Sequence, residues 1–339
     1  MALYKDLFDI KVEDNIKISI SNNEIYTQSL LFLYKKNPGD LLIVTSNLTE
    51  ATKVFNNIRK YEKNVFLFPE DEYITKKAVA TSPEFLFMRL ELLNNIKNTK
   101  NKIVISHLNS FLKKLPSPSV YEKKKVVLKA NEKYGRDELV NKLVSLGYKR
   151  ETIVNNTSEL AVRGYVVDIF PIGEEHPVRI EFFDDLIETI KYFDENTQKT
   201  INEEKMIIIN SVKDDFLGEA TITDYLEDTL VVFQDYENIL KNYDLLQEQI
   251  QYYGSEDIEY KKLSKDDYAN KIYVDLINNY GNYDYIINAV DMKNYNNDYK
   301  TFIEDINKNS LTNKTYLYIK NREILKKLIA EGLDIKDLK

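Results

Sequence analysis

The sequence predicts an α/β protein interrupted by an inserted α+β segment built on an antiparallel sheet. From about residue 40 to 115 short apolar strands alternate with amphipathic helices, and beyond residue 205 the same alternation returns. Between them lie three strand-like runs with short connections, the pattern of an antiparallel meander. A chain of 339 residues is long enough for two or three domains at about 150 residues each. The expected organisation is a discontinuous α/β domain made of residues 1–120 and 205–339, with residues 121–204 inserted as a second domain.

The elements follow in order. Leu41 to Thr45 reads as a short buried strand, followed by a helix over Leu48 to Tyr61 and a strand at Val65 to Phe68 ending in Pro69. Ser82, Pro83 and Glu84 supply an N-cap, a first-turn proline and a first-turn acid, which start a helix carrying Phe85, Met88, Leu92 and Ile96 along one side. Ile103 to Ser106 is a further strand before Leu115, Pro116, Ser117 and Pro118 break the pattern. A helix from Arg136 to Leu146 aligns Leu139, Leu143 and Leu146 and stops at Gly147. The three meander strands are Leu160 to Phe170, Val178 to Phe183 and Leu186 to Phe193, and Gly164 inside the first implies a bulge or a close backbone approach. Strands at Leu230 to Phe233, Tyr285 to Ile287 and Tyr316 to Ile319, with helices at Glu237 to Tyr252 and Arg322 to Glu331, complete the pattern.

Composition excludes several functions. Lys and Arg number 47 against 55 Asp and Glu, a balance that argues against a chain dedicated to gripping phosphate backbones. The Lys123 to Lys125 cluster, with Lys129, reads as a solvated linker beside Pro116 and Pro118. The absence of cysteine removes disulfides and thiolate metal sites and fits a reducing compartment. No apolar run reaches the ~18 residues of a transmembrane helix and the first residues lack a signal-peptide pattern, so a soluble cytoplasmic protein without membrane contact is expected.

None of the nine glycines is followed by lysine, which removes the nucleotide-binding P-loop, and Gly-x-Gly and Gly-x-Ser-x-Gly are absent. His107 reads as structural and His176 as a solvated turn residue, and two histidines without cysteine do not assemble a zinc site. Asp235 and Glu237 follow a strand where an ATPase would place metal-binding carboxylates, but without a phosphate loop they read as non-catalytic, and Asp184 and Asp185 read as solvated turn acids. No catalytic residue, cofactor or metal is expected.

The positive signal lies in Glu159 to Asp185. The two-residue period of a strand puts Val178, Ile180 and Phe182 on one face and Arg179, Glu181 and Phe183 on the other. The first is a core face. The second places Arg and Phe towards water, residue types enriched among interface hot spots. Between Asn156 and Thr200 the basic residues are Arg163, Arg179, Lys191 and Lys199, against ten acids, a balance that repels DNA and suits arginines that each find a carboxylate on a protein. The structural alternative is that Arg163 and Arg179 pair with Glu181 or its neighbours inside the sheet.

Leu143 to Ile201 resembles the domain shared by the excision-repair protein UvrB and the transcription-repair coupling factor (Mfd) family. The residues carrying the resemblance include Ala161, Arg163, Gly164, Asp168, Phe170, Pro171, Arg179, Glu181, Phe182, Phe183, Asp185, Phe193, Asp194 and Gln198. Phe68, Pro69, Glu70 and Glu72, then Ser82, Pro83, Glu84 and Arg89, resemble the coupling-factor pattern more than that of UvrB, and Ile18 to Tyr26 reads ISISNNEIY where UvrB carries a phosphate loop. The chain departs from the family at Ser158 and Tyr165, often glycines in relatives, and at Leu186 and Lys191.

The resemblance implies a degenerate RecA-like domain, related to domain 1 of UvrB, with an inserted UvrA-binding domain, and an N-terminal portion of a longer protein. It implies a non-catalytic adaptor that recruits UvrA to stalled transcription complexes, through Arg163, Arg179 and Phe183. In the full-length family protein, the C-terminal regions, RNA polymerase and DNA are further partners. The competing readings are an active UvrB-like or helicase-like ATPase and a DNA-binding repair module.

Overall fold

The strands around Ile43 and Val232 are unbroken apolar runs because a parallel sheet is covered on both faces, and Leu41–Thr45, Ile103–His107 and Leu230–Gln234 are buried throughout. The computed structural model describes residues 15–70, 82–96, 99–213, 218–253, 260–264, 270–276, 281–287, 293–311, 317, 319 and 321–333. They fall into two compact units, residues 15–287 and 293–333.

The larger unit begins with β1 (Ile16–Ile20), α1 (Asn23–Lys36), β2 (Leu41–Thr45), α2 (Leu48–Ile58), β3 (Val65–Phe68), α3 (Pro83–Asn95), β4 (Ile103–His107), α4 (Leu108–Leu112) and α5 (Pro118–Glu122). There follow β5 (Lys125–Lys129), α6 (Arg136–Ser145), β6 (Lys149–Arg150), β7 (Glu159–Arg163), β8 (Val166–Ile169), β9 (Val178–Phe183), β10 (Leu186–Phe193), β11 (Thr200–Glu204) and β12 (Met206–Asn210). It closes with β13 (Leu230–Gln234), α7 (Tyr236–Tyr253), β14 (Lys271–Asp275) and β15 (Tyr285–Ile287).

Seven of these strands form one sheet in the order β15-β1-β14-β13-β2-β4-β3, every neighbouring pair parallel. Its strands come from both sides of a second, six-stranded sheet in the order β11-β10-β9-β8-β7-β6, antiparallel except for the β6 and β7 pair. A two-stranded antiparallel ribbon joins β5 to β12. Leu42 and Phe233 of the parallel sheet, Val126 and Ile207 of the ribbon, and Val178 and Ile180 of the antiparallel sheet all belong to one buried apolar cluster. In the smaller unit, α8 (Tyr299–Ser310) is capped by the Asp298 side chain and α9 (Arg322–Ala330) by that of Asn321.

Buried charges stitch the parallel sheet together. Asp40 accepts from Lys102 Nζ at 2.9 Å and from the backbone N–H groups of Lys102 and Glu227, tying together the entries of β2, β4 and β13. Beyond the far ends of β3 and β4, buried Arg89 of α3 donates to the Pro69 carbonyl at 2.8 Å and lies 3.3 Å from Glu70, which Lys113 also reaches at 2.6 Å. His107 Nε2 meets the backbone of the same Glu70, and burial pushes its imidazole down to about 4, so it is neutral there. The Pro69, Glu70 and Arg89 motif residues therefore form one contact, and His107 is the structural residue that its strand context predicts.

Several expectations change. Leu160 to Phe170 is not one strand with a bulge: β7 and β8 are separate and Gly164 with Tyr165 forms the two-residue turn between them. Gly164 has a φ of +58° and nothing within 4 Å of where a Cβ would sit, so backbone conformation and not close approach calls for glycine. The lysine cluster is no linker: β5 starts at Lys125, which pairs with Glu122, and Lys129 pairs with Glu132. In the region expected to be the second α/β half, β13 to β15 join the parallel sheet but residues 293–333 form a unit of their own. The strand expected at Tyr316 to Ile319 falls largely outside the described residues. Among the described residues no helix is long and apolar enough to cross a membrane.

Candidate partner-docking surface

Backbone register decides which side chains share a face of the antiparallel sheet. Val166 lies opposite Arg163 of β7 and opposite Glu181 of β9, so Arg163 and Glu181 project from the same side. Alternation along β9 adds Arg179 and Phe183 to that side and turns Val178, Ile180 and Phe182, all buried, to the other. The three residues singled out from the sequence thus share one face.

Two hairpin turns end the strands at one edge of that face. Gly164 and Tyr165 connect β7 to β8 directly after Arg163, and Asp184, with a φ of +52°, and Asp185 connect β9 to β10 directly after Phe183. Phe183 is 65% exposed and Tyr165 61% exposed. The Gly164 carbonyl accepts from Arg136 Nη1 at the start of α6. A groove of about 670 Å³ runs between the first turn of α6, with Asp137 and Glu138, and the two turns.

The arginines differ. Arg163 is exposed; its Nη2 donates to the Thr152 carbonyl at 3.2 Å, and among the described residues it makes no ion pair. Arg179 is held by Asp168, directly opposite on β8, through Nε to Oδ1 at 2.7 Å and Nη2 to Oδ2 at 2.9 Å. Nη2 also donates to Gln198 at 2.9 Å, and the guanidinium lies 4.4 Å from the centre of the Phe193 ring. Its Asp168 hydrogen bonds raise its already high pKa further. Glu181 takes Lys191 and Thr189, both at 2.6 Å, and these hydrogen bonds lower its carboxyl below the ordinary value.

The internal pairing weighed for both arginines therefore holds for Arg179, with Asp168 and not Glu181 as partner. Sequence reasoning missed that role of Asp168; an acid within the apolar run Val166 to Ile169 was the available signal. The departure at Ser158 also has a physical reading, because this residue adopts a φ of +72°, where a glycine is at ease. Tyr165 does not have a positive φ, and a side chain there is unstrained.

Among the described residues no group of His, Cys, Asp or Glu is arranged to hold a metal ion. His176 lies in the turn before β9, partly exposed, with Nδ1 3.7 Å from Glu195.

Residues 126–214 match the family described as the UvrB interaction domain. The chain is also similar to transcription-repair-coupling factors, with 30% identity over 205 residues to that of Staphylococcus aureus (strain bovine RF122 / ET3-1), covering 60% of this chain and 17% of the relative. The chain is a relative of the transcription-repair-coupling factors. The Bacillus subtilis (strain 168) coupling factor is 29% identical over 199 residues, 58% of this chain and 17% of its own length. That of Staphylococcus haemolyticus (strain JCSC1435) is 29% identical over 222 residues, 65% of this chain and 19% of its own length. This chain thus corresponds to the N-terminal, UvrB-like region of the coupling factors and spans under a fifth of the length of these relatives. Arg163, Arg179 and Phe183 all lie inside the UvrB interaction domain of this coupling-factor relative.

Proposed function

We propose that this chain is a non-catalytic adaptor that binds UvrA and recruits it to stalled transcription complexes in nucleotide excision repair, within the cytoplasm. The docking surface is the outer face of the antiparallel sheet at Arg163, Arg179 and Phe183. The observation that carries this reading is Phe183, a large aromatic 65% exposed on the face it shares with an arginine that has no carboxylate partner among the described residues. An exposed aromatic that shares a sheet face with an arginine lacking an ion pair has the composition of an interface anchor.

Arg179 takes a second part in this reading. Its Nε and Nη2 are committed to Asp168 and Gln198, which locks the side chain and leaves Nη1 for a partner carboxylate at little further entropic cost. The acids around it discourage nucleic acid and fit a protein partner. The domain arrangement follows the same reading: a degenerate RecA-like domain in two halves flanking the inserted residues 121–204. A lack of chemistry is supported by Asn22, whose side chain occupies the N–H groups of Glu24 and Ile25 at the start of α1, where a P-loop protein would hold phosphate. In the whole protein, the C-terminal regions, RNA polymerase and DNA are the further partners.

A UvrA pull-down with wild type and Arg163→Ala tests the proposal. Retained capture by wild type and reduced capture by the variant support it, and equal capture by both rejects the assigned surface.

A further inference from the structure

A second crevice, apart from the docking face, opens at the carboxyl edge of the parallel sheet, where ligands of open α/β sheets bind. Asn23, Tyr26 and Thr27 of α1 and Glu50 of α2 form its walls, with Gln234 at the end of β13 and Leu276 beyond β14, around a volume of about 280 Å³. Tyr26 is 3% exposed and Gln234 2% exposed. The Tyr26 hydroxyl and the Gln234 Oε1 are both buried without a hydrogen-bond partner. A buried polar atom left unpaired costs about 1–3 kcal/mol, so two in one crevice mark a place for a ligand that brings donors.

The charge of the crevice selects the ligand. Asp235 follows Gln234 with a φ of +49° and accepts the Leu276 N–H at 2.9 Å. Burial, with smaller contributions from Asp275 and Glu50, raises its carboxyl above the ordinary range, and burial and the nearby Glu237 do the same for Asp275. The same acids, Asp235 and Glu50, add to burial in holding the Tyr26 hydroxyl protonated. Among the lining residues Lys53 is the cation, and Glu50 already pairs with it at 2.7 Å. The first N–H groups of α1 are taken by Asn22, whose side chain binds those of Glu24 and Ile25 and whose carbonyl binds that of Tyr26. An anion entering here meets the Glu50 carboxylate and finds these α1 N–H groups already taken.

We propose that this crevice binds a small organic cation, an alkylammonium or guanidinium group whose N–H donors satisfy Gln234 Oε1 and the Tyr26 oxygen while Asp235 and Glu50 balance its charge.

Calorimetric titration of the whole chain with agmatine, which carries both groups, tests the proposal, with Mg²⁺ alone and Mg²⁺–ATP as comparisons. Saturable agmatine binding is expected, weaker by about tenfold or more in Asp235→Asn and in Tyr26→Phe, the loss of one charged hydrogen bond. Asparagine tolerates the left-handed backbone at Asp235 and can still accept the Leu276 N–H. Glu50→Gln, at a partly exposed side chain of near-identical shape, is a second variant that does not threaten the fold and is expected to weaken binding in the same direction. No saturable agmatine binding, equal affinity in the variants, or saturation by Mg²⁺–ATP or Mg²⁺ alone overturns the proposal.

Discussion

Arg179 grips Asp168 across directly opposed positions of β9 and β8, through two parallel hydrogen bonds of 2.7 and 2.9 Å. Asp168 is 2% exposed, so removing the guanidinium leaves a buried carboxylate without its cation. Arg179→Ala is therefore expected to destabilise the protein by about 3 kcal/mol, the lower end for a broken buried pair because the Arg179 side chain still meets solvent. Arg179→Lys keeps the charge without the fork and is expected to fall between the two. Urea unfolding of the three proteins measures this. A neutral alanine variant would show that Asp168 is satisfied another way. An Arg179→Ala binding defect thus reports folding as well as contact.

His107 gives the stability a pH dependence. Its buried imidazole is pushed down to about 4, from 6.5 when free. Between those values the unfolded chain takes up a proton that the folded chain refuses, so stability is full above the free value and falls as the pH drops through this window. The expected loss between about pH 7 and pH 5 is about 2 kcal/mol at this site. Urea midpoints across this range measure it for wild type and His107→Gln. The variant is expected to show a shallower slope, and an unchanged slope would assign the dependence to other groups.

Two glycines separate backbone strain from crowding. Gly164 at a φ of +58° has open space around a Cβ, so Gly164→Ala is expected to cost about 1 kcal/mol, and Gly164→Asn less. Gly147 at a φ of +101° would place a Cβ within 2.8 Å of the Lys213 and Val212 side chains, so Gly147→Ala is expected to cost more. Thermal melts of the three variants rank them, and equal costs would contradict the distinction.

The local patterns most legible in the sequence were those decided within a few residues. Val178 to Phe183 and Leu41 to Thr45 form strands at their expected bounds because apolar periodicity and burial agree there. The Arg136 helix ends beside Gly147, whose positive φ supplies the stop. The β7 and β8 hairpin was read as one strand because Gly164 is the sole turn residue in an apolar run, and a glycine within a strand pattern serves equally for a bulge. β11 escaped notice because Thr200 to Glu204 is exposed throughout and carries no alternation. At the candidate site, the shared face of Arg163, Arg179 and Phe183 was legible from periodicity and resemblance. Commitment of Arg179 to Asp168 was not, because cross-strand partners depend on where the hairpin turns.

The central claim is tested most directly by UvrA binding to Phe183→Ala. The side chain is 65% exposed, so thermal unfolding of this variant is expected to match wild type. Calorimetry with purified UvrA is expected to show binding weakened by about 1–4 kcal/mol, the range of a truncated interface anchor. Wild-type affinity in a folded Phe183→Ala protein would contradict the assignment of this face as the docking surface.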